Sequence, residues 1–242
     1  MALLPESAEL PVPESNDLGR YLEDTITIDW QTPSVSDCAR RLLSGAASPA
    51  AGLERIFRFV RDEIAHSFDL EEGMRAARSV PGSPETDHVL APPAPSSRPD
   101  GFRARGIACS ASEVLALGHG LCFAKSHLLA ALARFAGHPT GFCYARLVDD
   151  ERPGRFVLHG FNAVYWAKAG RWLLLDARGD RPGIASECRF EPPFSLAFLP
   201  AAERGEALLP VVFKRPGRRV VDTLERAPDP AALRRTLPDR VD

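Results

Sequence analysis

Residues 118–137 read GHGLCFAKSHLLAALARFAG, and the two glycines at the start of this stretch lead directly into apolar residues at helical spacing. The pattern predicts a helix from about Leu121 to Ala136, which Gly137 ends because glycine accepts the left-handed conformation found after helices. Cys122 therefore lies in the first turn of the predicted helix. The helix dipole and the unpaired backbone N–H groups there favour a thiolate, and they can lower the pKa of a cysteine from about 8.5 into roughly the 3.5–7.5 range.

Two later segments supply the side chains that a nucleophilic thiol needs. His159 occurs in VLHGFNAVYW, which predicts a strand, and Asp176 follows an apolar run in RWLLLDARGD. Taken alone, a histidine in such a strand is more often structural than catalytic, and an aspartate at a strand end is ordinary. A buried carboxylate needs a partner, however, and an imidazole on the adjacent strand would pair with it and keep a fixed tautomer. The order Cys122, His159, Asp176 thus predicts a nucleophile, a base and an orienting carboxylate.

The cysteines of the chain, taken together, favour neither a disulfide framework nor a zinc ribbon. The five cysteines are odd in number, widely spaced and without a CxxC pair: Cys38, Cys109, Cys122, Cys143 and Cys188. A metal site built from His119, Cys122 and His127 is a weaker alternative, because Cys122 and His127 are five positions apart on the predicted helix, a poor spacing for one face. We therefore expect neither a metal nor a cofactor.

Composition and charge exclude several classes of partner. The chain has 242 residues, 45% of them hydrophobic, which is enough for a sizeable core, and its formal net charge is −2. That charge gives no basic footprint for nucleic acid or an anionic membrane, so we expect neither partner. The first residues, MALLPESAELPVPES, lack the pattern of a secretory signal, and no apolar run approaches the roughly 20 residues of a membrane span. The sequence therefore predicts a cytoplasmic protein.

Helical spacing comes before strand-like alternation along the chain. Besides the helix at Cys122, helices are predicted at 34–43, 48–65 and 110–117. Strands are predicted after the Cys122 helix at 140–148, 156–167 and 171–177, and shorter ones at 25–30 (TITIDW), 209–214 and 218–222. Helices followed by consecutive antiparallel strands indicate an α+β fold, in which the nucleophile helix packs against the sheet.

The same pass along the chain predicts its domain organisation. Residues 1–24 are expected to form an extended arm, and residues 25–225 one domain. A proline-rich stretch at about 71–105 is expected to interrupt that domain as an exposed loop, either a linker or a lid over the site. Residues 226–242 are expected to form a short C-terminal helix and tail, because Asp229 and Pro230 are typical of a helix start.

Several polar residues near the three candidates receive simpler interpretations. Lys125 is expected on the solvated face of its helix or at the rim of the cleft, and His127 is expected to be a packing or surface residue. Arg178 and Asp180 are expected in a charged loop, an interpretation preferred over a local ion pair between them. His66, just before the proline-rich stretch, is placed at the border of the cleft without an assigned role.

Three segments together resemble a known family. GHGLCFAKSHLLAALARFAG, HGFNAVYW and GRWLLLDARGD resemble the three-block signature of the transglutaminase-like superfamily, and IAHSFDL and ACSASEVLALG resemble its bacterial cysteine protease or amidase members. The resemblance covers roughly residues 48–200 apart from the proline-rich stretch. It implies a papain-like α+β core, with Cys122 as nucleophile, His159 as general base and acid, and Asp176 as the orienting carboxylate.

The resemblance also implies a reaction, and the sequence departs from the family outside the triad. Many relatives have Trp and Glu where this chain has Phe161 and Ala163, and Thr where it has Arg178, which affects substrate recognition. We expect acyl transfer through a thioester on Cys122, most simply hydrolysis of a peptide or amide bond in a peptide or protein substrate. The alternatives are an amine-accepting transglutaminase, or a catalytically silent domain that binds a protein or peptide.

Overall fold

The computed structural model describes residues 2–78 and 101–242 of the chain. The α-helices in these ranges are α1 (Pro33–Leu43), α2 (Pro49–Arg58), α3 (Ser67–Arg78), α4 (Gly101–Arg105), α5 (Ala111–Leu117), α6 (Cys122–Phe135), α7 (Arg218–Arg226) and α8 (Pro230–Arg235). A π-helical turn at Phe59–Glu63 extends α2, and 3-10 turns occur at Leu18–Tyr21, Ala167–Ala169 and Ala202–Arg204. None of the helices in the described ranges is long and apolar enough to cross a membrane.

The strands form one main sheet and three small pairs. The strands are β1 (Ala2–Leu3), β2 (Val12–Pro13), β3 (Ala65–His66), β4 (His119–Gly120), β5 (Thr140–Val148), β6 (Phe156–Trp166), β7 (Arg171–Leu175), β8 (Ser195–Leu196), β9 (Ala207–Leu208) and β10 (Val211–Val212). The main sheet is antiparallel, in the order β7-β6-β5-β9. The small pairs are β1 with β8, β10 with β2, and β3 with β4.

Helix α6 packs on this sheet, with nearly all of its residues buried from Phe123 to Arg134. Two positions of β6 explain the fit. Asn162 donates from Nδ2 to the Ser126 carbonyl of α6 at 3.1 Å. Gly160 leaves room for the Phe123 ring, because a Cβ atom at Gly160 would lie 2.7 Å from Phe123 Cδ1. The predicted α+β fold, with the nucleophile helix against an antiparallel sheet, is confirmed.

Two short predicted strands are wrong. Residues 25–30 form turns instead, in which the Thr25 hydroxyl accepts from the Ile28 N–H at 3.0 Å and Ile26 is exposed. Local hydrogen bonds thus replace the ladder that a strand would need. Residues 218–222 lie in α7, where Val220 and Leu224 are buried one helical turn apart. Five residues are too few to distinguish the spacing of a helix from the alternating pattern of a strand.

The structure also gives partial views of the predicted arm, loop and tail. The arm contributes β1 and β2, which pair with β8 and β10. Helix α3 runs into the predicted proline-rich loop as far as Arg78, α4 lies at its other end, and residues 79–100 fall outside the described residues. The tail contains α8, with the Asp229 side chain capping it and Pro230 in its first turn, as predicted. The residue bounds of the arm, domain and tail stay a prediction.

The close fit at Gly160 generates a stability prediction. Gly160→Ala places a methyl group against Phe123, so we expect the free energy of unfolding to fall by about 1–3 kcal/mol. Gly73→Ala is the matched control, because Gly73 lies in α3 with no atom near its missing Cβ. Removing that glycine should raise the free energy of unfolding, by up to about 1 kcal/mol. Urea denaturation measures both, and a Gly160→Ala protein as stable as the parent would contradict the packing described.

Candidate active site

The three predicted residues come from three different elements. Cys122 is the first residue of α6, His159 lies in β6, and Asp176 directly follows β7. Strands β6 and β7 are antiparallel with Asn162 opposite Leu175, so the next position along the ladder sets Phe161 beside Asp176. His159 shares a face with Phe161 two residues away, which makes it a diagonal neighbour of Asp176. The hairpin therefore brings the imidazole and the carboxylate together.

His159 and Asp176 form a buried pair. The distance between His159 Nε2 and Asp176 Oδ2 is 2.8 Å, and Asp176 is fully buried while His159 is 5% exposed. Asp176 Oδ2 also accepts from the Ala197 N–H at 2.8 Å, and Oδ1 accepts from the Arg178 N–H at 3.2 Å. Burial alone would raise the pKa of Asp176, but His159 and the two backbone donors outweigh it and lower the pKa. The carboxylate is therefore ionised at neutral pH.

His159 also interacts with Cys122. Burial opposes the charged ring, but the Asp176 carboxylate and the Cys122 sulfur together raise the pKa of His159 to about 10. Asp176 occupies Nε2, so Nδ1 is the ring nitrogen that remains for another partner. Cys122 and His159 also line the same cavity, so the thiol, the imidazole and the carboxylate are grouped in one place.

Cys122 differs in its surroundings from the other cysteines. Burial raises the pKa of the Cys38, Cys109 and Cys143 thiols, and all three are buried. Cys188 is half-buried like Cys122, but burial and the nearby Glu54 raise its pKa to about 12. Cys122, in contrast to these four cysteines, has its thiol near the imidazole ring of His159.

The helix start at Cys122 also offers a backbone donor. Leu121 is the N-cap of α6 and has no side-chain capping bond. The Lys125 N–H reaches the Leu121 carbonyl at 2.8 Å, so the N–H groups of the preceding turn, including that of Cys122, are not used within the helix. This fits the predicted first donor for an oxyanion at Cys122.

Cys122 and His159 open onto a cavity of about 570 Å³. Part of the wall is apolar, and it includes Phe68, Phe123, Leu158, Ile184 and Phe198. The Phe198 ring lies edge-on to the His159 ring, with 4.9 Å between centroids. The charged part of the wall is paired within itself: Arg152 contacts Asp149, Arg204 contacts Asp150, and Arg234 contacts Glu151.

The expectation that Arg178 is an ordinary residue of a charged loop is wrong, because its side chain is buried and paired at long range. Arg178 is 4% exposed and makes two 2.8 Å hydrogen bonds, from Nη1 and Nη2, to the carboxylate of Asp69 in α3. Asp69 is far away in sequence, so the charge pattern around Arg178 could not reveal this partner. The bidentate pair places a fixed cation two residues after Asp176.

The expectation that Lys125 is solvated or at the rim is also wrong. Lys125 is 1% exposed, and its ammonium group donates to the carbonyls of Ile64 and Arg61 at the end of the π-helical turn. Burial, together with nearby Arg178, lowers the pKa of Lys125 to about 7. The carbonyls left free where that turn ends supply the acceptors, a feature that no local sequence pattern predicts.

The histidines of the alternative metal site have separate partners. His127 is fully buried and its Nδ1 lies 2.7 Å from the Cys109 carbonyl, so it is a packing residue. His119 Nδ1 lies 3.0 Å from the Ser67 hydroxyl. Over residues 2–78 and 101–242, no three His, Cys, Asp or Glu side chains are grouped to hold a metal ion.

Sequence reasoning missed the segment that follows β8. Ala197 supplies the backbone donor to Asp176, and Phe198 supplies the ring against His159. A backbone N–H has no residue-type signal, and a single phenylalanine has no diagnostic spacing. Only the folded chain reveals these two contributions.

Comparison with known proteins gives one sequence match, to a family. Residues 99–177, which include Cys122, His159 and Asp176, match the family described as the transglutaminase-like superfamily. None of the curated proteins matches the chain.

Two solved structures share part of the backbone arrangement. A candidate cysteine protease from Cytophaga hutchinsonii has 14% identity and a TM-score of 0.43, with 70% of this chain and 46% of that one covered. The periplasmic domain of TgpA from Pseudomonas aeruginosa has 18% identity and a TM-score of 0.38, with 66% of this chain and 46% of that one covered. The chain thus spans less than half the length of either structure. The sequence match thus relates residues 99–177, the part of the chain that holds Cys122, His159 and Asp176, to the transglutaminase-like superfamily.

Proposed function

We propose that this protein is a cysteine enzyme that hydrolyses a peptide or amide bond through a thioester on Cys122. The observation that carries the proposal is the buried His159–Asp176 pair, with 2.8 Å between His159 Nε2 and Asp176 Oδ2, on the wall of a cavity that Cys122 also lines. A thiol, an imidazole and a carboxylate in this order are the parts of a nucleophile, a base and an orienting group. The open cavity beside them supports a peptide or protein substrate.

The proposed reaction has two halves. The Cys122 sulfur attacks the substrate carbonyl carbon, the C–N bond breaks, and the His159 imidazolium gives its proton to the leaving amine. The product of this half is a thioester on Cys122 and a free amine. Water then attacks the thioester, His159 takes a proton from that water, and the acid leaves as the C–S bond breaks and the thiol is restored.

Asp176 orients the imidazole throughout. Its lowered pKa keeps it ionised, and its two further backbone bonds hold the oxygen that meets His159 Nε2 in one place. The N–H of Cys122 meets the oxyanion that forms on the carbonyl oxygen. We take water as the acceptor because water needs no second binding site, whereas an amine acceptor needs one beside the thioester.

Cysteine labelling tests the pairing of thiol and imidazole. We expect iodoacetamide to label Cys122 selectively below pH 7, and the rate at pH 6 to fall about tenfold or more in His159→Ala, because the imidazolium stabilises the thiolate. Mass spectrometry of each cysteine measures the rates, with Cys188 as the internal control because burial raises its pKa to about 12.

His138→Ala is the matched control variant for labelling. His138 is a partly exposed histidine that lies against Trp166, with 5.6 Å between ring centroids, outside the Cys122 site. Its removal should leave Cys122 labelling unchanged. Equal labelling of Cys122 at pH 6 in the parent and His159→Ala proteins would argue against the proposed pair.

The buried pair also predicts a pH-dependent stability. The pKa of Asp176 is lowered, so its contribution is present above about pH 4 and is lost as pH falls through the lowered value. The pKa of His159 is raised to about 10, so its contribution is complete below about pH 6.5 and is lost as pH rises through about 10.

Asp176→Asn should therefore destabilise the protein most between about pH 4 and 6.5. In that window we expect the free energy of unfolding to fall by about 1.5–3 kcal/mol, the value of a hydrogen bond to a charged group. Urea denaturation at pH 5.5 and pH 10.5 measures the difference between variant and parent. A difference that is the same at both pH values would show that the charges of the pair do not contribute.

An activated ester tests the chemistry itself. We expect 4-nitrophenyl acetate to release nitrophenolate in a burst and to leave an acetyl group on Cys122, with hydrolysis following. Cys122→Ala should abolish the burst and Cys188→Ser should retain it. Added glycine methyl ester distinguishes the acceptors, since an N-acetylated product in place of acetate would identify a transferase. A burst that persists in Cys122→Ala would contradict the proposal.

A further inference from the structure

His66 lines the cavity that Cys122 also lines, and in the sequence it precedes the proline-rich stretch. Strands β3 and β4 are parallel with His66 opposite Gly120, two residues before Cys122. The His66 side chain lines the same cavity as Cys122 and His159, and the residue is 8% exposed. A short strand pair thus fixes an imidazole next to the nucleophile.

The position of its proton follows from its neighbours. Arg178 Nη2 lies 3.5 Å from His66 Nδ1, and a guanidinium group can only donate, so Nδ1 is the acceptor. Asp69 Oδ1 is 3.8 Å from the same nitrogen, beyond hydrogen-bond distance, and is itself occupied by Arg178. A neutral ring that accepts at Nδ1 has its hydrogen on Nε2.

The surroundings also keep this ring uncharged. Burial lowers the pKa of His66 well below its ordinary value, and the cationic groups of Arg178, Lys125, His159 and Arg181 lower it further. Asp69 is the carboxylate nearest the ring, and it is engaged with both arginines. Among the described residues, Nε2 of His66 has no hydrogen-bond partner, and it is not fully enclosed by protein atoms. His66 therefore offers a neutral N–H donor on the wall of the cavity.

We propose that His66 is the second donor of the oxyanion hole, with its Nε2–H acting beside the backbone N–H of Cys122. This inference rests on the function proposed above and adds a catalytic residue to it. The arginines of the cavity wall each contact a carboxylate: Arg178 contacts Asp69, Arg152 contacts Asp149, Arg204 contacts Asp150, and Arg234 contacts Glu71, Glu72 and Glu151. A neutral imidazole that donates to a developing oxyanion needs no proton transfer of its own.

The fold holds this donor at a fixed distance from the nucleophile. The Lys125 ammonium group, on α6 one turn after Cys122, donates to the Ile64 carbonyl two residues before His66. The Ala65 N–H donates to the Gly118 carbonyl at 3.0 Å. These bonds tie the strand of His66 to the start of α6 on both sides of Cys122, and an oxyanion hole requires such preorganisation.

Two reagents separate the donor role from other roles of His66. Acylation of Cys122 by 4-nitrophenyl acetate forms an oxyanion on the ester carbonyl, whereas alkylation by iodoacetamide occurs at a saturated carbon and forms none. In His66→Phe, we expect the acylation burst to slow about 100-fold and the alkylation rate of Cys122 to remain within about twofold of the parent. His66→Gln retains an N–H donor and should recover much of the burst rate. Ser67→Ala, the neighbouring residue on the same segment, is the control and should leave both rates unchanged.

Each outcome decides between the possibilities. An unchanged burst in His66→Phe overturns the donor role and leaves the proposed function intact. Equal slowing of acylation and alkylation overturns it as well, because His66 would then act on the thiol or on the fold. A slow burst in His66→Gln equal to that of His66→Phe, with normal alkylation, also argues against an N–H donor. A parent protein without any burst overturns the proposed function, and the donor role with it.

Discussion

The buried pair of His159 and Asp176 is the constraint around which the site is organised. A carboxylate with no exposure to water is costly unless it is paired and hydrogen-bonded, and Asp176 meets three donors: His159 Nε2, the Ala197 N–H and the Arg178 N–H. These donors come from strand β6, from the segment after β8, and from the turn after β7. Satisfying one carboxylate thus fixes the relative positions of three segments that are distant in sequence.

The same constraint accounts for the charges that surround the site. Arg178 lies two residues after Asp176, and its side chain bonds to Asp69 rather than to Asp176. Asp176 therefore pairs with the His159 ring, and Asp69 pairs with the Arg178 guanidinium group. Lys125 contributes a third buried cationic group, held by backbone carbonyls instead of a carboxylate. Because these cations are close to His66, they act against protonation of its ring, whereas the direct bond to Asp176 favours protonation of His159.

The sequence predicts those parts of the molecule whose signal is local. Helix α6, strands β5 to β7 and the cap of α8 follow from periodicity, glycine and proline, and the predicted bounds differ from the observed ones by two residues at most. The triad residues could be grouped because a hairpin joins two of them and a helix start marks the third. Residues 25–30, Arg178 and Lys125 were misjudged because their conformation or burial depends on partners at long range, such as Asp69 and the Ile64 carbonyl.

The two histidines of the cleft illustrate how environment alone can divide one residue type between two roles. His159 is bonded to a carboxylate and lies near a thiol, and both groups favour the imidazolium form. His66 receives a guanidinium N–H and lies among cations, so the neutral form with a hydrogen on Nε2 is the stable one. In the proposed reaction the first ring must gain and lose a proton, while an oxyanion donor must keep its own. A fold that pairs one imidazole with Asp176 and the other with Arg178 meets both requirements at the same pH.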